Sequence, residues 1–297
     1  MAEKFAAICT MPKSGTWYSH YFFHILSHLR RGIEQIPAFP REGAFPLHEF
    51  GLQGFLVCHV ECPAFQAFEG PLRTRWEQLR YHTDGYNWAA PIFAQHPQFT
   101  PQHNPDARLI YLCRNPLDQA VSFFDHGQKH KDETVLARKD QGGNYVRTPN
   151  GTLALPESPK EFFFSHNFES YLKHYLSWKL SAEMFPDQIR IIPYANLARN
   201  PAENFASILD FMGVNRNTAG FPEHFEKALK LSSKDSIQKL ENSLGHAIGR
   251  DQTDPNSRHV RDGKVAKWRH HFEDADYNRM CDLFSEWGIS PSEFVFD

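Results

Sequence analysis

The chain has 297 residues, 41% of them hydrophobic and 23% charged, which is enough for one sizeable buried core and excludes a disordered chain. Its formal charge of −3, from 32 basic and 35 acidic side chains, gives no general field for capturing nucleic acid or an anionic membrane, so any anion site must be local. Five cysteines, an odd number in a chain this long, argue against a disulfide framework and for a reducing, cytoplasmic setting. No apolar run approaches the ~18 residues of a membrane span, and the first residues do not read as a signal peptide.

In chain order, Phe5–Met11 reads as a short buried strand and Pro12–Thr16 as a turn. Tyr18, Phe22, Ile25, Leu26 and Leu29 recur at helical spacing. Arg30 and Arg31 suit that helix's last turn and Gly32 its stop. Residues 33–54, rich in Pro, Gly and Phe, read as a loop, and Gly54–His59 as a second strand. Residues 61–90 read as a partly helical insertion and Pro91–Gln95 as a further short strand.

Arg108–Cys113 is a buried strand, and Asn115–Phe124 opens a helix. Asn115 can cap that helix, Pro116 fits its first position and Asp118 suits its dipole. Residues 127–160 read as a long polar loop. Leu172, Tyr175, Leu176 and Leu180 mark a helix, Ile189–Tyr194 a strand, and Phe205 to Met212 a helix stopped by Gly213. A polar stretch over 249–266 precedes a last helix at Tyr277–Trp287. Strands alternating with helices predict an α/β fold: a central parallel sheet flanked by helices. No repeat or linker divides the chain, so residues 1–297 read as a single domain.

Three elements suit anions. Pro12-Lys13-Ser14-Gly15-Thr16-Trp17 joins a strand to a helix, so it offers free backbone N–H groups, two hydroxyls, a lysine and a glycine that admits close approach. The lysine precedes the glycine, so this is not the GxxxxGK[ST] loop of common nucleotide hydrolases. Arg114 leaves the carboxyl end of a strand, where ligands bind in open α/β sheets, and Ser122 follows two helical turns on. Arg261-Asp262-Gly263-Lys264 is a basic, glycine-containing turn before Trp268. Each element alone also fits a plain turn or corner.

Together the three resemble the PAPS-dependent sulfotransferase family, the cytosolic type in particular, PAPS being 3′-phosphoadenosine 5′-phosphosulfate. PKSGTW resembles the family's 5′-phosphosulfate loop, and CRNPLDQAVSFF its 3′-phosphate strand and helix. HVRDGKVAKWRHHF resembles its late segment for the 3′-phosphate and adenosine, and IIPYANLARNPAENFASILDFMG the stretch before that, with Tyr194 at the family tyrosine. The likeness runs from residue 7 to about residue 272 and is absent over 33–90 and 127–165. It implies a P-loop-like strand–loop–helix and a cofactor site of Lys13, Ser14, Gly15, Thr16, Trp17, Tyr18, Arg114, Ser122, Tyr194, Arg261, Asp262 and Gly263. Trp17 stands where the family has a further Thr, Tyr18 at its aromatic position near adenine, and Asp262 where it has lysine.

The implied reaction is sulfuryl transfer from PAPS to a hydroxyl or amine of a small-molecule acceptor, by in-line displacement, with Lys13 at the leaving oxygen and no metal. A non-catalytic nucleotide-binding module and an atypical small-molecule kinase are the alternatives. The acceptor's proton calls for a histidine base, which the family carries in a K-T-H-x-P-like segment at a strand end. His96, before Pro97, fits that place; His59 is its rival, and His103 a third choice. Cys58, His59 and Cys62 form one half of a zinc pattern with no second pair, a weak signal. Phe39, Phe45, Phe50 and Phe162 to Phe164 fit an apolar or aromatic acceptor, and fit core packing equally well.

Overall fold

Phe5–Thr10, apolar from Phe5 to Cys9, forms the central strand β1, buried at every position. The computed structural model describes residues 4–33, 45–82, 95–130, 133–140, 142–244 and 266–296. Among these, β1 belongs to a five-stranded sheet with β2 (Phe45–Leu47), β3 (Leu52–Cys58), β4 (Arg108–Cys113) and β5 (Ile189–Pro193). The order is β2-β3-β1-β4-β5. Four strands run parallel, and β2 adds an antiparallel edge to β3. The chain leaves β1 toward β3 on one side and later returns to β4 on the other. The carboxyl end of β1 is therefore the switch point of the sheet, the crevice where open α/β folds place their ligands.

The helices are α1 (Thr16–Arg30), α2 (Pro71–Gln78), α3 (Pro116–His130), α4 (Glu133–Leu136), α5 (Pro159–Phe162), α6 (Phe168–Met184), α7 (Tyr194–Arg199), α8 (Pro201–Phe211), α9 (Phe221–Leu231), α10 (Lys234–Leu244) and α11 (Asp274–Ser285). Alternate strand residues face opposite layers. Ala6, Ile8, Phe55, Val57, Ile110 and Leu112 pack on one side with Phe22 and Phe23 of α1 and Phe205 of α8. Ala7, Cys9, Leu56, Leu109 and Tyr111 pack on the other with Leu117 of α3 and Tyr171 and Trp178 of α6. Phe22 stacks on Phe205 at 3.8 Å between centroids, and Tyr111 on Trp178 at 4.9 Å. Burying each such ring contributes about 1.5–3 kcal/mol.

The expected strands and helices before Arg31 and at Arg108–Cys113 are present, and Asn115 Oδ1 caps α3 by accepting from the amides of Leu117 and Asp118. Several expectations are corrected. β2 lies inside the stretch read as loop. α3 runs on past Phe124, and residues 133–140 and 142–158 contain α4 and two short bridges, Lys139–Tyr145 and Arg147–Leu153. α9 and α10 were not anticipated; each is amphipathic, with Phe221, Phe225 and Ala228 on the apolar face of α9 and Ile237 buried from α10. Of the strand expected at Pro91–Gln95, residues 91–94 lie outside the described residues, and Gln95 is not in a strand.

Candidate active site at the carboxyl end of the sheet

The loop after β1 turns sharply. Lys13 has φ +69° and Gly15 φ +97°, both left-handed, and Ser14 N–H donates to Met11 O at 3.0 Å. Residues alternating in this way turn successive backbone N–H groups toward one concavity, a nest that suits an anion. α1 begins at Thr16 with Gly15 at its N-cap and no side chain capping it, so its free amides point the same way. Gly15 is obligatory for a second reason: a Cβ there would lie 2.5 Å from Cδ2 of Tyr194, whose ring rests on the loop. Ser14 is fully buried, and its Oγ has no hydrogen-bond partner among the described residues. Such a buried orphan donor is what a phosphosulfate oxygen would satisfy.

Arg114 follows β4 and reaches the same loop. Its Nη1 donates to Lys13 O at 3.0 Å, and its guanidinium lies 5.4 Å from the Tyr194 ring centroid. Tyr18 joins them: burial, then the nearby Tyr194, pushes its phenol up to about 12. The structure thus gathers Lys13, Ser14, Gly15, Thr16, Tyr18, Arg114 and Tyr194. Ser122 lies half-buried on α3, two turns from Arg114. Trp17 turns instead toward His20 and Tyr21, with centroids at 5.8 and 6.0 Å. Arg261, Asp262 and Gly263 lie outside the described residues.

Of the candidate histidines, His59 stands in this crevice. β3 pairs with β1 at Cys58–Cys9, so the next residue on each strand, His59 and Thr10, meet just beyond the sheet. His59 Nδ1 stands 2.9 Å from Thr10 Oγ1 and 3.1 Å from Thr10 O, and Nε2 stands 3.4 Å from Thr16 Oγ1. A carbonyl can only accept, so Nδ1 carries the proton and Nε2 keeps its lone pair. Burial, together with the positive charge of Lys13 and against the bond to Thr10, lowers the imidazole to about 4.

His96 does not share the crevice. It precedes a short 3₁₀ turn, Pro97–Phe99, whose Phe99 packs edge-on against Phe5 at 5.2 Å. Phe5 is the first residue of β1 and Lys13 follows the last, so His96 sits at the opposite end of the sheet, roughly 16 Å of strand away. His103 lies in the turn leading into β4, at that same far end. The reason is topological: a segment that feeds the start of a parallel strand cannot also stand at its finish. Cys58 turns from His59 toward Cys9, with sulfurs 3.6 Å apart. All five cysteines are free thiols, and no cluster of three or more His, Cys, Asp or Glu side chains suited to a metal occurs among the described residues. Phe50, Phe162 and Phe163 are core residues, so they give no indication of the acceptor.

Several supporting residues escaped the sequence reading. Gln119 Nε2 donates to Pro12 O at 3.1 Å, and Asn167 Nδ2 donates to Gln119 Oε1 at 2.9 Å, all of it buried. Asn167 ends a π-helical stretch, Phe163–Asn167, which turns its amide toward α3. Tyr171 Oη donates to Arg114 O at 2.6 Å. Asp118, read only as a dipole partner, accepts from the amides of Ala266 and Trp268 at 2.8 and 3.0 Å and so ties the late segment to α3. Only tertiary proximity joins these pairs, so spacing along the chain carries no signal for them.

Comparisons with known proteins give the family and the fold. A sulfotransferase domain model matches residues 5–288. Sulfotransferase 2A1 of Mus musculus is 24% identical over 238 residues, 75% of each chain. Cytosolic sulfotransferase 17 of Arabidopsis thaliana is 24% identical over 294 residues, covering 94% of this chain and 72% of that one. Mouse sulfotransferase SULT7A1, solved with PAP, superposes with a TM-score of 0.52 at 16% identity, over 96% of this chain and 83% of its own. Retinol dehydratase, solved with androsterone and inactive cofactor PAP, gives 0.53 at 13%, over 97% and 81%. At these identities the structures establish a common fold. With a family model spanning nearly its whole length, the chain belongs to the sulfotransferase domain family.

Proposed function

We propose that this chain transfers the sulfuryl group of PAPS to a hydroxyl or amine of a small-molecule acceptor, with Lys13 at the leaving phosphate oxygen and His59 as the base. The observation that carries the reading is the meeting of His59, Thr10 and Thr16 beside the Lys13 loop. When bound, PAPS supplies an activated sulfuryl group, and the protein's task is to hold, orient and neutralise.

The nest over Lys13 to Thr16, the buried Ser14 hydroxyl and the amino end of α1 would hold the phosphosulfate. Arg114 and Ser122 would take the 3′-phosphate, and Tyr18 and Tyr194 would flank the nucleoside. Lys13 places its charge where negative charge builds on the leaving oxygen. His59 donates through Nδ1 to Thr10, which fixes the ring, and accepts the acceptor's proton at Nε2. At about 4 it stays neutral through the physiological range and is available as a base. Burial is the main cause of the lowering, and a bound anion at Lys13 would offset only the smaller part that comes from that charge.

The five free thiols favour a reducing compartment, the cytoplasm, and we read residues 1–297 as one domain. A kinase reading is not favoured, because Lys13 precedes the glycine and a Walker loop is absent. Thermal unfolding tests the cofactor directly. PAP should raise the melting temperature by mass action, equivalent to about 2.7 kcal/mol at a hundred times its dissociation constant. No shift with PAP, alongside a shift with ATP, would overturn the assignment.

A further inference from the structure

The loop after β1 stands between two neighbours, the end of β3 on one side and the helix that follows β4 on the other. His59 occupies the first. The second carries another imidazole: His126 on α3, whose Nδ1 stands 3.4 Å from Lys13 Nζ. An ammonium has three donors and no acceptor. Nδ1 must therefore be the accepting nitrogen in this contact, His126 is neutral there, and its proton sits on Nε2. One donor of Lys13 is thereby directed to the α3 side of the loop.

Three further observations bear on the contact. Ser122 and His126 are four residues apart on α3, so they share the helix face that looks toward the loop. His126 is only half-buried, so core packing does not require it. The turn of helix that carries it is fixed all the same. Gly127 leaves room for Leu136, whose Cγ would lie 2.5 Å from any Cβ at that position, so α4 packs directly against α3 there. The other end of Lys13 is held as well, its carbonyl by Arg114 and its backbone at φ +69°.

We propose that His126 is a positioning residue for sulfuryl transfer: it holds the Lys13 ammonium on the α3 side of the loop, so that its charge stands in one place as the leaving oxygen develops. The proposal rests on the reading of Lys13 as the group at that oxygen. A long, flexible lysine has many rotamers, and restricting them before reaction lowers the cost of reaching the transition state. Two neutral imidazoles, His59 and His126, flank the cation without cancelling its charge.

The test is a double-mutant cycle on the full chain with labelled PAPS. His126→Phe keeps a ring and removes the accepting nitrogen. It should lower kcat by up to about 10²-fold, the scale of a misplaced catalytic group, with PAP affinity and the KM for PAPS little changed. His126→Asn, whose amide oxygen can accept near the place of Nδ1, should restore much of kcat. In a Lys13→Ala background His126→Phe should cause no further loss. Melting temperature and PAP binding verify folding, and His126→Leu serves if the Phe variant does not fold. Full kcat in His126→Phe with an inactive Lys13→Ala overturns the proposal and leaves the reading of Lys13 standing. An additive loss in the Lys13→Ala background also overturns it, because His126 would then act on its own. Normal turnover in Lys13→Ala removes the reading of Lys13 and the proposal with it.

Discussion

Replacing His59 by alanine is expected to lower turnover by ~10²–10⁴-fold, the usual contribution of a placed general base, while PAP affinity stays nearly unchanged. The separation follows from the contacts. His59 touches Thr10 and Thr16 at the mouth of the loop, whereas the groups assigned to the phosphates are backbone amides, Ser14 and Arg114. Its tautomer is set by the Thr10 carbonyl, which leaves Nε2 as the nitrogen able to take a proton. His59→Gln is the informative companion. Its amide nitrogen can still donate to Thr10 and preserve packing, yet it offers no base, so turnover should stay low. Steady-state kinetics with labelled PAPS, beside calorimetry with PAP, separates the two effects. Near-normal turnover in His59→Ala would assign proton removal to another group or to the acceptor's own acidity.

Lys13→Ala is expected to lower kcat by about 10²–10³-fold, the scale seen when one preorganised partner of a developing oxyanion is removed. The loss should fall on kcat more than on the KM for PAPS, because the charge matters most as the leaving oxygen develops. The backbone of the nest should survive: Arg114 holds the carbonyl of residue 13, and Gln119 that of Pro12, whatever side chain stands at 13. Lysine already occupies φ +69° at this position, so alanine inherits the same backbone strain, and melting temperature serves as the folding control. A variant that needed only more PAPS, with kcat intact, would make Lys13 a binding residue.

The strand–loop–helix at Phe5 to Arg30 and the strand Arg108–Cys113 were readable because their signals are local: buried apolar runs, helical spacing and a capping Asn115. The loop PKSGTW was readable for the same reason, since an anion nest is built from consecutive residues. The base was not. His96 and His59 both end apolar runs in the sequence, and nothing local says which run finishes beside β1. That is decided by strand order: β3 pairs with β1 so that His59 follows Cys58 into the crevice, while Phe99 holds the segment of His96 against Phe5, at the other end of β1. The supports of the loop were hidden for a related reason. Gln119 and Asn167 lie 48 residues apart and meet only because a π-helical stretch re-aims Asn167 toward α3. His126 sits one helical turn past Ser122, and that periodicity was visible, but its contact with Lys13 spans 113 residues. The acceptor was not legible for a different reason: of the phenylalanines that suggested it, Phe50, Phe162 and Phe163 fill the core, Phe164 is half-buried and Phe39 lies outside the described residues.

The most direct measurement is transfer of labelled sulfuryl from PAPS to a panel of hydroxyl and amine acceptors, by the wild-type chain beside His59→Ala and His96→Ala. The account predicts that label and PAP appear together in the wild type and in His96→Ala, and that both nearly vanish in His59→Ala. Loss of transfer in His96→Ala with His59→Ala unimpaired would contradict it.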